Sequence, residues 1–242
     1  MKAMILAAGE GRRMRPLTEH KPKPLLEVAA KSLIARHIEA LADAGFHDIV
    51  VNAAYLGEQL ADFCGDGSRW GVRIQMSMES APLETAGGII HALPLLGDAP
   101  FVVVNGDVFT DFPLQRLRQV VPTDKGAHII LVPNPDHHPD GDFALLGSRV
   151  LPKHELPQQA LTYSGIGVFH PEFFAQIDGL NSEISAAGAV KLALRPLLDR
   201  TIASGTLTAE QWSGRWFDIG TPQRLAQLDA LLSREAPREP VN

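Results

Sequence analysis

The chain opens on a continuous apolar run, Ala3 to Leu6, which breaks at Gly9 into a charged loop. A short uninterrupted run of this kind predicts a strand covered on both faces. Past the loop, Leu33, Ile34, His37, Ile38, Leu41 and Ala42 recur with the period of an amphipathic helix and stop at Gly45, a glycine suited to closing it. Ile49 to Asn52 then reads as a strand, Leu56 to Cys64 as a helix, Gly65 to Ser68 as a polar turn and Val72 to Ser77 as a strand, and a further helix opens at Gly87-Gly88. The most β-branched run, Phe101 to Val104, ends in Asn105-Gly106-Asp107. Strand and helix alternate throughout, which predicts an α/β, Rossmann-like fold: a mostly parallel mixed sheet flanked by helices, with ligands at the carboxyl ends of the strands.

From about Asp111 the pattern loosens. Ala127 to Val132 and Leu161 to Phe169 read as strands, Asn134 to Asp142 as a long loop, and Leu192 to Ala203 as a helix despite Pro196. Arg215 to Gly220 makes a last short strand, and Thr221-Pro222 starts a terminal helix whose first turn suits proline. Residues 233–242, with two prolines and mixed charge, are expected to be a disordered tail. There is no internal repeat, so a single domain over residues 1–232 is expected.

At 242 residues, 45% hydrophobic and 21% charged, the chain can bury one large core. Its net charge of -6 argues against a general nucleic-acid binder, and no apolar stretch approaches the roughly 18 residues of a membrane span. The lone Cys64 permits neither an internal disulfide nor a cysteine metal cluster and is expected to be a buried thiol. The first apolar run is followed by arginines and not by a cleavage site, so it reads as the first strand of a cytoplasmic protein. Oligomeric state is not readable from the sequence, and a monomer is compatible with it.

The charge becomes informative between Leu6 and Leu26. Gly9 and Gly11 let the backbone turn tightly and bring its N–H groups against an anion, while Arg12, Arg13, Arg15, Lys21 and Lys23 supply positive charge at the same spot. This suits phosphates. A Walker A loop would end in Gly-Lys-Ser/Thr, and a dinucleotide fingerprint would need a third glycine where Met14 stands. The run Leu6-Ala7-Ala8-Gly9-x-Gly11-x-Arg13-Met14-Arg15-Pro16-Leu17-Thr18, followed by Pro22-Lys23-Pro24-Leu25, resembles the signature of sugar-1-phosphate nucleotidyltransferases.

That resemblance implies the nucleotide-diphospho-sugar transferase fold, with nucleotide binding in about residues 1–110 and a small sugar-binding lobe in about 111–232. It also implies transfer of a nucleotidyl group to a sugar 1-phosphate, with Mg2+ as cofactor and pyrophosphate expelled. The attacking phosphate oxygen is already anionic near neutral pH, so positioning and charge neutralisation carry the catalysis. By resemblance, Arg15 and Lys23 are the catalytic cations. Lys23 lies between Pro22 and Pro24, whose fixed φ values limit where it can point. The nucleotide is expected on Leu6, Ala7, Ala8, Gly9, Gly11, Arg12, Arg13, Met14, Arg15 and Lys23, with Asn105 and Gly106 beside them. Arg12, Arg13 and Lys21 could equally be solvated charge or partners for Glu10 and Glu19. Pro82, Glu84, Thr85, Gly87 and Gly88 match the base-recognition loop, although a glycine pair also relieves crowding between packed helices.

By resemblance, Asp107, directly after a strand, and Asp218, among large apolar residues, are the magnesium ligands; alternatively Asp107 caps a turn and Asp218 caps the last helix. The sugar is expected on Asn105, Gly141, Asp142, Ser164 and Gly165. His137-His138 reads as part of a solvated loop and not as a metal site.

Within the family, LAAGEGRRMRPLT, KPKPLL, PLETAGGI, VNGDVFTDF, NPDHHPDGDFAL, LTYSGIGVFHP and WFDIGTPQRL most resemble the short bacterial enzymes that make UDP-N-acetylmuramic acid from UTP and N-acetylmuramate α-1-phosphate in cell-wall recycling. Where relatives usually have Gly-Lys-Pro, this chain has Ala30-Lys31-Ser32, so the turn into the first helix is expected to differ in shape. A mannose-1-phosphate guanylyltransferase or a glucose-1-phosphate uridylyltransferase would share every phosphate and metal residue. A catalytically silent sugar-nucleotide sensor is the alternative of another class, but it would have little reason to keep Arg15, Lys23, Asp107 and Asp218 together.

Overall fold

The computed structural model describes residues 1–175, 183–184 and 189–235. In chain order its elements are β1 (Ala3–Leu6), β2 (Glu27–Val28), β3 (Lys31–Ser32), α1 (Leu33–Asp43), β4 (Asp48–Ala53), α2 (Gly57–Cys64), β5 (Arg73–Met78), α3 (Glu84–Leu96), β6 (Phe101–Asn105) and β7 (Val108–Thr110). They continue with β8 (Ala127–Val132), β9 (Phe143–Leu146), β10 (Arg149–Pro152), β11 (Ala160–Phe169), β12 (Glu183–Ile184), β13 (Val190–Lys191), α4 (Arg195–Ser204), β14 (Leu207–Gln211), β15 (Trp216–Asp218) and α5 (Pro222–Glu235).

One mixed sheet runs β5-β4-β1-β6-β11-β8-β14-β10-β9. Its first four strands are mutually parallel, as the alternation of strand and helix predicts. β11 then runs antiparallel to both β6 and β8, and only β14 beside β8 restores a parallel pair. The register sets Leu6 opposite Asn52 on one side and Asn105 on the other, so three strand ends share one edge.

The unbroken apolar run of β1 has a direct cause. Ala3 and Ile5 pack with Ile34, Ile38 and Leu41 of α1 on one face, while Met4 packs with Ala86, Ile89 and Ala92 of α3 on the other. A third cluster joins Met14 and Leu26 of the N-terminal loop to Ile219 and Leu228 near the far end of the chain. Truncating a fully buried leucine such as Leu228 to alanine would cost roughly 2–5 kcal/mol. This cluster fixes the phosphate loop against the segment that carries Asp218.

Several expectations shift. α3 begins at Glu84, three residues before the predicted Gly87 start, so both glycines lie inside the helix. α4 begins at Arg195; Leu192 and Leu194 enter the core before it, and Pro196 falls in its first turn, where no N–H is needed. Strand β14 and the β9–β10 hairpin were not legible as strands, because they are short and flanked by polar residues. The terminal helix runs on to Glu235, so Ser233 to Glu235 are helical and not tail; residues 236–242 lie outside the described residues.

The turn into α1 does have its own chemistry. Ala29 and Ala30 carry φ values of 46° and 58°, a left-handed conformation that glycine enters more readily. Two polar side chains hold it: Asp229 Oδ1 accepts the Ala29 N–H at 2.8 Å, and Ser32 Oγ caps α1 by accepting the Ala35 N–H at 3.4 Å.

Candidate active site

A cavity of about 360 Å³ opens at the shared strand edge. Of the expected nucleotide residues, Leu6, Ala7, Ala8, Gly9, Gly11, Arg12, Arg13, Met14, Lys23, Pro82, Glu84, Thr85, Asn105 and Gly106 line it. Gly11 sits at φ 63°, and a Cβ there would stand 3.0 Å from Thr18 Cγ2 and 3.2 Å from Lys23 Cβ. Thr18, fully buried, donates from Oγ1 to the Gly11 carbonyl at 2.9 Å and so locks the loop. A Cβ on Gly106 would come within 2.7 Å of the Leu6 carbonyl, so glycine is what lets these two strand ends touch.

The floor of this cavity is a buried polar chain. Asn52 Oδ1 accepts the Ala7 N–H at 2.7 Å, and Asn52 Nδ2 donates to Glu79 Oε1 at 2.6 Å. Glu79 Oε2 accepts the Leu83 N–H at 3.1 Å. Burial pushes the Glu79 carboxyl above its ordinary range, against the pull of these hydrogen bonds. The chain thereby ties the phosphate loop to the loop that opens α3. Glu84 starts that helix at φ 61°, a strained backbone for a residue with a Cβ, at the cavity wall.

Gly87 and Gly88 do not line the cavity. A Cβ on Gly87 would collide with the carbonyl of Val190, and one on Gly88 would stand 2.7 Å from both Asn52 Nδ2 and Glu79 Oε1. The pair therefore admits β13 on one side and the Asn52–Glu79 chain on the other.

A second cavity of about 350 Å³ adjoins the first and shares Arg13, Asn105 and Asp107 with it. Antiparallel pairing of β15 with β7 sets Asp218 opposite Val108, and the Ile219 N–H donates to the Asp107 carbonyl at 2.7 Å. Two aspartates far apart in sequence thus line one cavity. Lys23 Nζ lies 2.6 Å from Asp107 Oδ2, and its own side chain is only 11% exposed. Asp218 Oδ1 accepts from Arg224 Nη1 at 2.8 Å, and His137 Nε2 lies 2.8 Å from the same oxygen.

Among the described residues, no three or more His, Cys, Asp or Glu side chains gather into a metal cluster. Asp107 and Asp218 offer hard oxygen donors only, which suits a magnesium-like cation whose remaining positions go to water and phosphate oxygens. In the ligand-free protein Lys23 and Arg224 pair with these two carboxylates, and the His137 imidazole lies against Asp218.

Ser164 and Gly165 line the second cavity as expected, and Gly165, at φ 80°, leaves room for Asn105, whose Nδ2 would be 2.6 Å from a Cβ there. Gly141 and Asp142 do not line it. Asp142 braces its wall, accepting the Tyr163 N–H at 2.9 Å and meeting His138 Nε2 at 3.1 Å, while Gly141 turns at φ 60° against Asn134. Arg15 is exposed and lines neither cavity, whereas Arg13 lines both. Arg12 is paired with Glu10, and Lys21 with Glu27. Cys64 is buried, and burial pushes its thiol up to about 11.

His137 and His138 lie on a solvent-exposed loop as expected, with side chains 42% and 41% exposed, and they also line the second cavity beside Asp218 and Asp142.

The family model described as nucleotidyl transferase matches residues 2–235. The chain belongs to the nucleotidyl transferase family. It is 48% identical over 235 residues to the N-acetylmuramate alpha-1-phosphate uridylyltransferase of Neisseria meningitidis serogroup B, covering 96% of this chain and 98% of that one. It is 30% identical over 231 residues to the mannose-1-phosphate guanylyltransferase catalytic subunit beta of Dictyostelium discoideum, covering 92% of this chain and 62% of that one. A crystal structure from Bacillus anthracis, described as a glucose-1-phosphate thymidylyltransferase with sucrose, superposes with a TM-score of 0.82 at 24% identity, covering 99% of this chain and 97% of the other. That likeness shows the fold. Among the described residues no helix is long and apolar enough to cross a membrane.

This nucleotidyl transferase carries site residues that the sequence reading missed: Asn52, Glu79, His137 and Arg224. Asn52 and Glu79 share one signal with Asp107, a polar residue within two positions of a strand's end at the ligand edge. Arg224 lies one helical turn past Gly220, where a Cβ would collide with its guanidinium. No local pattern announced it.

Proposed function

We propose that the protein transfers UMP from UTP to N-acetylmuramate α-1-phosphate, giving UDP-N-acetylmuramic acid and pyrophosphate in cell-wall recycling. The observation that carries the reaction class is the meeting of Asp107 and Asp218 on one cavity, beside Lys23 and the glycine-rich loop. The near full-length similarity to a uridylyltransferase supports the choice of base and sugar.

On this reading the first cavity takes the nucleotide and the second the sugar. The backbone N–H groups around Gly9 and Gly11 face the triphosphate, and Arg13, set between the cavities, neutralises charge shared by the two phosphates that react. Lys23 turns from Asp107 to the α-phosphate or the incoming sugar phosphate. Arg15 keeps its assignment to the outgoing pyrophosphate, reached from the exposed side of the same loop. Asp107 and Asp218 would hold magnesium, which supplies neutralisation of phosphate charge. No side chain needs to remove a proton, because the nucleophile is an oxygen of an ionised phosphate. The sugar part, residues 111–232, is completed by Asn105 from the nucleotide part, while Asp218 reaches back to Asp107.

A panel of sugar 1-phosphates, each offered with UTP and with GTP and magnesium, tests this by pyrophosphate release. The expected result is turnover fastest with UTP and N-acetylmuramate 1-phosphate. Preference for GTP and mannose 1-phosphate would replace this reading with that of the guanylyltransferase relatives; silence throughout would replace it with a sensor.

A further inference from the structure

The second cavity holds a histidine whose contact with Asp218 duplicates one already made by an arginine. Asp218 Oδ1 is contacted twice, by Arg224 Nη1 and by His137 Nε2, each at 2.8 Å. The two partners differ in freedom. Arg224 is 18% exposed and wedged against Gly220, which has no Cβ to collide with it. His137 is 42% exposed and belongs to the loop between β8 and β9. Its neighbour His138 is committed to Asp142, which also holds the Tyr163 N–H. Arg13 lies between the two cavities, where phosphates are expected. His137 is therefore the cation-capable donor in this cavity that can change partners while Asp218 remains neutralised.

N-acetylmuramate differs from N-acetylglucosamine by a lactyl ether that ends in a carboxylate, so a site that prefers the acid sugar needs a donor for that group beyond those on the phosphate. We propose that His137 is this specificity-determining residue: it releases Asp218 and donates its Nε2 hydrogen to the sugar's carboxylate. A neutral imidazole carrying hydrogen on Nε2 suffices, so no change of protonation is needed. The inference rests on the N-acetylmuramate reading above.

The test compares N-acetylmuramate 1-phosphate with N-acetylglucosamine 1-phosphate in the wild type, His137→Ala and His137→Gln, by steady-state rates and by calorimetric binding of each sugar phosphate without nucleotide. The expected result is a wild-type preference for the acid sugar that falls roughly tenfold in His137→Ala, the loss of one hydrogen bond to a charged group, mostly through KM and matched by weaker binding. His137→Gln, which keeps an N–H donor, recovers part of it. A wild-type preference that survives His137→Ala intact, or an equal loss for both sugars through kcat, overturns the inference and leaves the reaction assignment standing. A wild type indifferent to the lactyl group sinks the N-acetylmuramate reading, and the inference with it.

Discussion

Most of the first cavity comes from three short stretches at or after strand ends, residues 6–14, 82–85 and 105–107, joined by single residues such as Lys23, Asn52, Glu79 and Gly220. The second is assembled from side chains brought together from distant segments, the loop at 135–138, residues 162–165 of β11 and the short strand that ends at Asp218. The difference is physical. Backbone N–H groups at the ends of parallel strands make a phosphate site from nearly continuous sequence, whereas an acceptor site needs side chains from several directions. On the proposed reading, nucleotide binding therefore draws on runs of neighbouring residues more than sugar selection does.

The sharpest way to break this comparison is at the seam. Asp107→Asn and Asp218→Asn should each lower turnover roughly a hundredfold or more while the protein melts near the wild-type temperature, as followed by pyrophosphate release and calorimetry. Near-normal activity in both would remove the metal assignment. Lys23→Ala comes next, with an expected loss of kcat of roughly tenfold to a hundredfold. Its partner Asp107 is 40% exposed and remains hydrated once the ammonium is gone, so little stability should be lost. A matching drop in melting temperature would make Lys23 a structural residue.

Smaller effects should separate the cavities. Gly88→Ala crowds Asn52 and Glu79 under the nucleotide, and Gly165→Ala crowds Asn105 beside the sugar. The first is expected to raise KM for UTP several-fold and the second to raise KM for the sugar phosphate, each sparing the other substrate more; reversed effects would exchange the cavities' roles. The smallest prediction concerns His37, behind the Asp107 segment, whose imidazole burial lowers to about 4. The unfolded chain binds this proton near pH 6.5 and the native protein does not, so stability contributed at neutral pH is lost as pH falls from about 6.5 toward 4, by roughly 3 kcal/mol in all. His37→Leu should flatten that part of the pH–stability curve in thermal melts; an unaltered slope would mean that His37 takes its proton in the folded state as well.

The phosphate loop, the lysine between two prolines and the aspartate after β6 were legible because each is a local device: a glycine at positive φ, a stiffened side chain, a polar residue ending an apolar strand. Gly87 and Gly88 show the limit of that kind of reading. A glycine pair in sequence does not say whether the missing Cβ makes room for a ligand or for a neighbouring strand, and here the room is occupied by β13 and by Asn52 with Glu79. Arg15 shows the same limit, since the loop's charge was plain in the sequence but not which arginine faces the cavities.

By itself the sequence determined the alternating α/β half, the glycine-rich turn behind β1 and the family, all of which depend on residues close together in the chain. Only the tertiary structure decided that β15 lies on β7, that Asp218 and Asp107 therefore line one cavity, and that His137 and Arg224 converge on one carboxylate oxygen. Those contacts join segments that no periodicity or spacing relates, and they exist because burying Ile219 and Leu228 against Met14 and Leu26 draws the end of the chain back across its beginning.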